Sequence, residues 1–186
     1  MKTRKNFFVS YARVDNPLPD RLLKLLKPRL DIMNGFDFSA WTDAMIPLGA
    51  DWRREIEAAL ARCDFGLLLL SPSFFASRFI SDQELPHFLS PGPGDSITIR
   101  KPIVPVGLKA IPLDGSADLK GLDRTQIFCN SRGCWFDRTR GHISDAFADE
   151  LVADIVAKLK TPSQTAPNNA GPHPAGHGPA HAFGVV

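Results

Sequence analysis

Glu84 lies in "SRFISDQEL", residues 77–85, directly after the most hydrophobic run of the chain, "FGLLLLSPSFFA". Its neighbours in sequence include Phe74, Phe75, Phe79, Ile80, Leu85 and Phe88. A carboxylate in such company has two readings. "SDQE", residues 81–84, has the form of a capping box, with Ser81 as N-cap and Glu84 reaching back from the third position. Alternatively, the carboxylate faces a cleft, where a low dielectric strengthens its attraction for positive charge. Other reactive side chains carry weaker signals. Cys129 and Cys134 in "CNSRGC" lack a partner pair for zinc and read as core or loop cysteines. His173, His177 and His181 recur every fourth residue, but interleaved Pro and Gly forbid the helix that would align them on a metal. No metal site is expected.

The elements that must position Glu84 alternate between strand-like and helix-like segments. "NFFVSYA" is a short apolar run suited to a strand buried on both faces. "NPLPDRLLKLLKPRL" reads as a helix with Asn16 as cap, Pro17 in the first position, and Leu18, Leu22, Leu25 and Leu26 on one face. "GFDFSAWTD" is a second strand, the loop "AMIPLGA" follows, and "DWRREIEAALARC" is amphipathic, with Ile56, Ala59, Leu60 and Cys63 in one stripe. "FGLLLL" is expected to be the central strand, and Ser71 then caps a helix that Pro72 opens. "KPIVPVGL" is a fourth strand, in which Pro105 should mark a bulge or the strand's exit from the sheet. "TQIFC" or "CWFD" supplies a fifth, and "SDAFADELVADIVAKLK" closes the domain, with Phe147, Leu151, Ile155 and Leu159 on one face. Such alternation predicts a five-stranded parallel sheet with helices on both faces, and ligands in that α/β architecture bind at the carboxyl ends of the strands.

Composition narrows the function classes. The 186 residues include 22 basic and 20 acidic side chains, for a formal net charge of +2, and 44% are apolar. That balance favours neither nucleic acid nor a membrane surface as partner. No apolar run exceeds about seven residues, far short of the ~20 a membrane helix needs. Three cysteines cannot all pair, which fits a reducing cytoplasm. Residues 161–186, "TPSQTAPNNAGPHPAGHGPAHAFGVV", have little to bury and are expected to be a disordered tail or linker after a domain spanning residues 1–160. The strand ends also exclude chemistry. No Gly-rich phosphate loop follows the first strand and no G-x-S-x-G elbow is present. A phosphoacceptor receiver would need acidic residues where Ser10-Tyr11 and Leu70-Ser71 stand.

In order along the chain, "NFFVSYAR", "WTDAMIPLGADWRREIEAAL", "DFGLLLLSPSFFASRFISDQEL", "KPIVPVGL" and "CWFD" resemble the successive boxes of a bacterial-type Toll/interleukin-1 receptor (TIR) domain, over roughly residues 5 to 160. The resemblance implies a flavodoxin-like fold. It also implies one of two functions: cleavage of the nicotinamide–ribose bond of NAD in immune or stress signalling, or assembly with other TIR domains as a non-catalytic module. NAD would enter as substrate, with no further cofactor, and one carboxylate suffices because nicotinamide leaves as a neutral group and needs no acid to protonate it. Ordinary glycosides need two carboxyl groups.

By resemblance Glu84 is the catalytic residue, and Ser10, Arg13, Trp41, Asp43 and Ser77 shape the substrate cleft. Each of the latter has a plainer reading as well. Arg13 would meet a phosphate or stand alone on the surface. Trp41 would stack on a base or end a strand in the core. Asp43 would bind ribose or turn the chain, and Ser77 would touch ribose or cap a helix. Trp52 reads as packing or assembly surface. The loop Ile46-Pro47-Leu48-Gly49 is expected to serve self-association. One departure stands out: several NAD-cleaving relatives carry tryptophan one turn before the catalytic Glu, and this chain has Ile80 there. A fainter alternative is a nucleoside deoxyribosyltransferase-like enzyme, which shares a related sheet and a catalytic carboxylate.

Overall fold

The computed structural model describes residues 1–92 and 97–160. The expected tail and its three histidines lie outside these residues. Four parallel strands form the main sheet: β1 (Thr3–Ser10), β2 (Phe36–Trp41), β3 (Phe65–Leu70) and, after a short antiparallel pair β4 (Leu89–Pro91) and β5 (Ile97–Ile99), β6 (Ile103–Gly107). Their spatial order is β2-β1-β3-β6, the flavodoxin-like order, with its switch point between β1 and β3.

β3, β6 and the second half of β1 are buried on both faces, so their alternate side chains feed two separate cores. Phe7, Val9, Leu67 and Leu69 point into one, covered by α1 (Leu18–Asp31) and α5 (His142–Lys160) through Leu22, Leu26, Phe147 and Leu151. Phe8, Leu68 and Leu70 point into the other, covered by α2 (Trp52–Arg62), α3 (Pro72–Ala76) and α4 (Leu85–Phe88) through Ile56, Leu60, Phe74 and Phe88. Every residue of β3 is buried, as its unbroken apolar run predicts. Arg29 links α1 to α5 by hydrogen bonds to Asp145 at 2.9 Å and Asp149 at 2.6 Å.

Three expectations are corrected. The fifth strand shrinks to a single bridge between Phe128 of "TQIFC" and Val106, with two backbone hydrogen bonds of 2.8 Å, while the "FDR" of "CWFD" forms a 3-10 turn. Pro105 causes no bulge; its missing donor faces that thinly paired outer side, while Val104 and Val106 on either side of it turn their backbone groups toward β3. Asn16 does not cap α1, whose N-cap is Pro17. Pro28 lies inside α1 without ending it, because it and Lys24, whose carbonyl it leaves free, both face solvent. The antiparallel pair β4–β5, which takes in Ser90 and Pro91 of "SPGPGDS", has strands of only three residues each and no periodicity to reveal it.

Among the described residues no helix is long and apolar enough to cross a membrane. Gly66 in β3 marks a close approach in the second core, since a Cβ there would lie 2.7 Å from the Phe88 ring, itself fully buried. Gly66→Ala is expected to lower unfolding free energy by about 1–3 kcal/mol through overpacking, measured as a fall in the urea midpoint at unchanged m-value.

Candidate active site

Side-chain alternation decides where the last residue of β1 points. Ser10 has the parity of Phe8, so its hydroxyl enters the core covered by α2, α3 and α4. It meets Glu84 there: Ser10 Oγ donates to Glu84 Oε2, and both residues are buried, Glu84 at 7% exposure. Glu84 ends a π turn, Ile80–Glu84, closed by the Leu85 N–H donating to the Ile80 carbonyl. Pro86 follows at once. It has no N–H, and in a continuous α-helix its ring would strike the Asp82 carbonyl, which the wider turn avoids. The capping box is not formed. Ser81 lies within the turn, Glu84 stands at the N-cap position of α4 without a side-chain cap hydrogen bond, and the Ser81 N–H that the box would pair with Glu84 donates to the Ser77 carbonyl at 3.1 Å, while the Ile80 N–H donates to Ser77 Oγ at 3.3 Å.

Burial pushes the Glu84 pKa from 4.5 to about 7; the Ser10 hydrogen bond opposes that rise and the Asp43 charge adds to it. Desolvation disfavours the anion more than one hydroxyl stabilises it.

Glu84 lines a cleft of about 920 Å³ at the carboxyl ends of β1, β2 and β3, together with Arg13, Asp43, Ser77 and the whole loop Ile46-Pro47-Leu48-Gly49. Gly49 has φ +83°, a backbone conformation that favours glycine and lets the loop turn back over the cleft. Asp43 sits between two partners, accepting from Tyr11 Oη at 3.0 Å and pairing with Arg13 Nε at 2.5 Å. Tyr11, the chain's only tyrosine, is pushed up to about 12 by burial and by Asp43. Arg13, 72% exposed in its side chain, therefore has an internal counter-ion.

Six residues were read from the sequence as site residues outside the loop. Glu84, Arg13, Asp43 and Ser77 share the cleft, and Ser10 reaches it through Glu84. Trp41 does not line it: its ring stacks on Phe8 at 5.0 Å and 17°, which is the core reading. Sequence reasoning missed Tyr11, although a lone tyrosine immediately after a strand was the available signal. It also missed Phe79 and Trp52 as cleft residues; their rings pack 4.7 Å apart. A third omission is Asp15, buried at the strand ends, where it accepts from Ser71 Oγ at 2.5 Å and Lys109 Nζ at 2.7 Å. Ser71 meanwhile caps α3 through the Phe74 N–H, so one cluster ties the ends of β1, β3 and β6. Partners this far apart in sequence leave no local pattern.

Two measurements follow from this geometry. The folded pKa of Glu84 exceeds its unfolded value, so folding binds the proton; that stability is full below about pH 4.5 and lost as pH rises through 7. Wild type should therefore lose roughly 2–3 kcal/mol relative to Glu84→Gln between pH 4 and pH 8, seen in denaturant melts across that range. Lys109→Met leaves the buried Asp15 carboxylate with Ser71 alone; it should cost about 2 kcal/mol, and the additional Asp15→Asn change should recover part of the loss.

A family model described as a TIR domain matches residues 7–152, which include the second half of β1, β2 to β6, the cleft and most of α5. None of the curated proteins compared with the chain matches it. With the parallel sheet in the order β2-β1-β3-β6 and the matched span covering well over half of its length, the chain belongs to the TIR-domain family.

Proposed function

We propose that the chain is an NAD+ glycohydrolase acting in TIR-type signalling, with Glu84 as its catalytic carboxylate. The observation that carries this reading is the Glu84 carboxyl, buried at a large cleft and bonded to a side chain from another element instead of a helix end. The cleft is at the upper end of the size range of small-molecule sites, with room for a dinucleotide.

In the proposed reaction the C1′–N bond breaks heterolytically and its electron pair leaves on nicotinamide, which becomes neutral. The positive charge that develops on C1′ and the ring oxygen is stabilised by the Glu84 anion in a poorly solvated site. Water then bonds to C1′ and loses a proton, which the carboxylate can take, giving ADP-ribose; a nucleophile from the same molecule would give a cyclic product instead. Ser10 holds the carboxylate in place. Asp43 and Ser77 are the groups within the cleft for ribose hydroxyls, and Arg13 for a phosphate. Because Arg13 is already paired with Asp43, a phosphate must compete for it, and moving the loop that begins at Asp43 would free it.

That loop also supports a second reading, a module that only assembles with other TIR domains. Leu48 is fully exposed and Met45 largely so, an arrangement costly in water and suited to a partner surface. The two readings combine if neighbouring copies complete the cleft, with Ile46-Pro47-Leu48-Gly49 at the contact.

The test is nicotinamide release from NAD at high protein concentration. Wild type is expected to turn over with specific activity rising on self-association, while Glu84→Gln and Glu84→Ala, folded by their melts, fall at least a hundredfold. Because the anion is the active form, kcat/KM should rise with pH through about 7 in the free enzyme, and the cationic substrate should shift the inflection in kcat to lower pH. Turnover of 2′-deoxynucleosides in place of NAD would point to a deoxyribosyltransferase. Absence of turnover at any concentration, with assembly intact, would leave the interaction module.

A further inference from the structure

Cys129 and Cys134 flank a turn that hydrogen bonds hold closed. The Gly133 N–H donates to the Asn130 carbonyl at 2.7 Å, and Gly133 has φ +67°, which favours glycine. Asn130 is buried at 4% exposure, and its Oδ1 accepts from the Arg132 N–H at 3.2 Å and the Cys134 N–H at 2.8 Å. Ser131 donates through its N–H and Oγ to Glu150 of α5 at 2.6 and 3.0 Å, which fixes the turn against the domain. Residues that flank a turn closed in this way face each other with Cα atoms about 5 Å apart. A disulfide spans roughly 4.4–6.8 Å between Cα atoms. Two side-chain observations agree with that placement. Cys129 Sγ and the Trp135 ring both pack on Gly107 at the end of β6, where a Cβ would lie 3.1 and 2.5 Å from them, so the chain returns to one spot on either side of the turn. Burial pushes the Cys129 thiol up and the charge of Cys134 adds to the rise, so the two sulfurs feel each other.

Both are free, half-buried thiols, and Cys134 Sγ makes only a weak contact with the Arg132 carbonyl at 3.9 Å. Cys63 differs: it is buried in the second core at 7% exposure and donates to the Leu60 carbonyl at 3.2 Å. Among the described residues no third His, Cys, Asp or Glu is placed to hold a metal with the pair. We propose that Cys129 and Cys134 are a redox site, forming a reversible disulfide when the protein meets hydrogen peroxide. The Cys134 thiolate attacks one peroxide oxygen, the O–O bond breaks, and the other oxygen leaves as water, giving a sulfenic acid on Cys134. Cys129 Sγ then attacks that sulfur, gives up its proton and expels the sulfenic oxygen as a second water. Two thiols lose two electrons, and one hydrogen peroxide becomes two waters. The bond joins "TQIFC" to "CWFD" across the outer edge of the sheet. The first segment holds β6 through the Phe128–Val106 bridge, and the second through the Asp137 N–H on the Leu108 carbonyl at 2.9 Å. Oxidation therefore staples an edge that a single bridge completes. Nothing in this proposal depends on the glycohydrolase reading.

The experiment treats the full-length chain with a small excess of hydrogen peroxide, removes it, and counts free thiols by alkylation in denaturant and by intact mass. The three thiols should fall to one, Cys63, with the mass of two hydrogens lost and a peptide map joining Cys129 to Cys134. Dithiothreitol should restore all three. Cys129→Ser should stop at a sulfenic acid on Cys134 that dimedone traps. Cys134→Ser should react about tenfold more slowly, because the buried Cys129 carries less thiolate. The urea midpoint of wild type should rise on oxidation, while that of Cys129→Ser should not. Three thiols surviving the peroxide, a bond that includes Cys63 or joins two chains, or irreversible addition of oxygen to Cys134 without a bond overturns the proposal.

Discussion

Burial of the central parallel strands on both faces is the constraint from which the rest of the molecule follows. β3 shows no residue to solvent, and β1 ends with Phe7, Phe8, Val9 and Ser10 all buried. A strand so placed sends alternate side chains into two cores, and each core needs its own layer of helices. One layer is made by the long helices α1 and α5, joined through Arg29. The other is made by shorter pieces, α2, α3, the π turn and α4, and its broken character leaves the cleft. Parity assigns Ser10 to the second layer, and a polar hydroxyl at that depth requires a partner. Glu84 is that partner.

The pairing is not a stabilising device at neutral pH. A carboxyl at 7% exposure with one hydroxyl donor holds its proton up to about pH 7, so the fold is penalised for the ionised form that the proposed chemistry uses. Titratable groups shifted toward the working pH by burial beside a cleft are what reactive sites have in common. The π turn that presents Glu84 also lets the chain pass Pro86, and such turns recur at functional sites. Asp43 connects this site to the loop after β2, since it holds Tyr11 and Arg13 at the end of β1. A ligand that takes Arg13 therefore changes what anchors the loop, and a partner that moves the loop changes what Arg13 can bind.

Much of this was legible along the chain. Unbroken apolar runs marked β1 and β3, the Ile56, Ala59 and Leu60 stripe marked α2, and Ser71-Pro72 marked the start of α3, because each signal arises from neighbours in sequence. Segments with weak local signals were misjudged. The fifth strand survives as one bridge at Phe128, since nothing beyond it extends the sheet, and the β4–β5 pair is too short to show a period. Trp41 was ambiguous between core and cleft because a strand's last residue has the same local sequence in either role; its stacking on Phe8 resolves it.

By itself the sequence determined the plan of a parallel sheet with helices on both faces, the succession of strands and helices along the chain, and Glu84 as the carboxylate that does not fit its surroundings. Local pattern suffices for these, because propensity and hydrophobic period act over a few residues. Only the tertiary structure decided between the cap and the cleft for Glu84, paired Arg13 with Asp43, gathered Asp15, Ser71 and Lys109, and brought Phe79 against Trp52. The physical reason is common to all four. Each depends on contacts between elements 27 to 94 residues apart, and their geometry is set by strand register and parity, which no short stretch of chain contains.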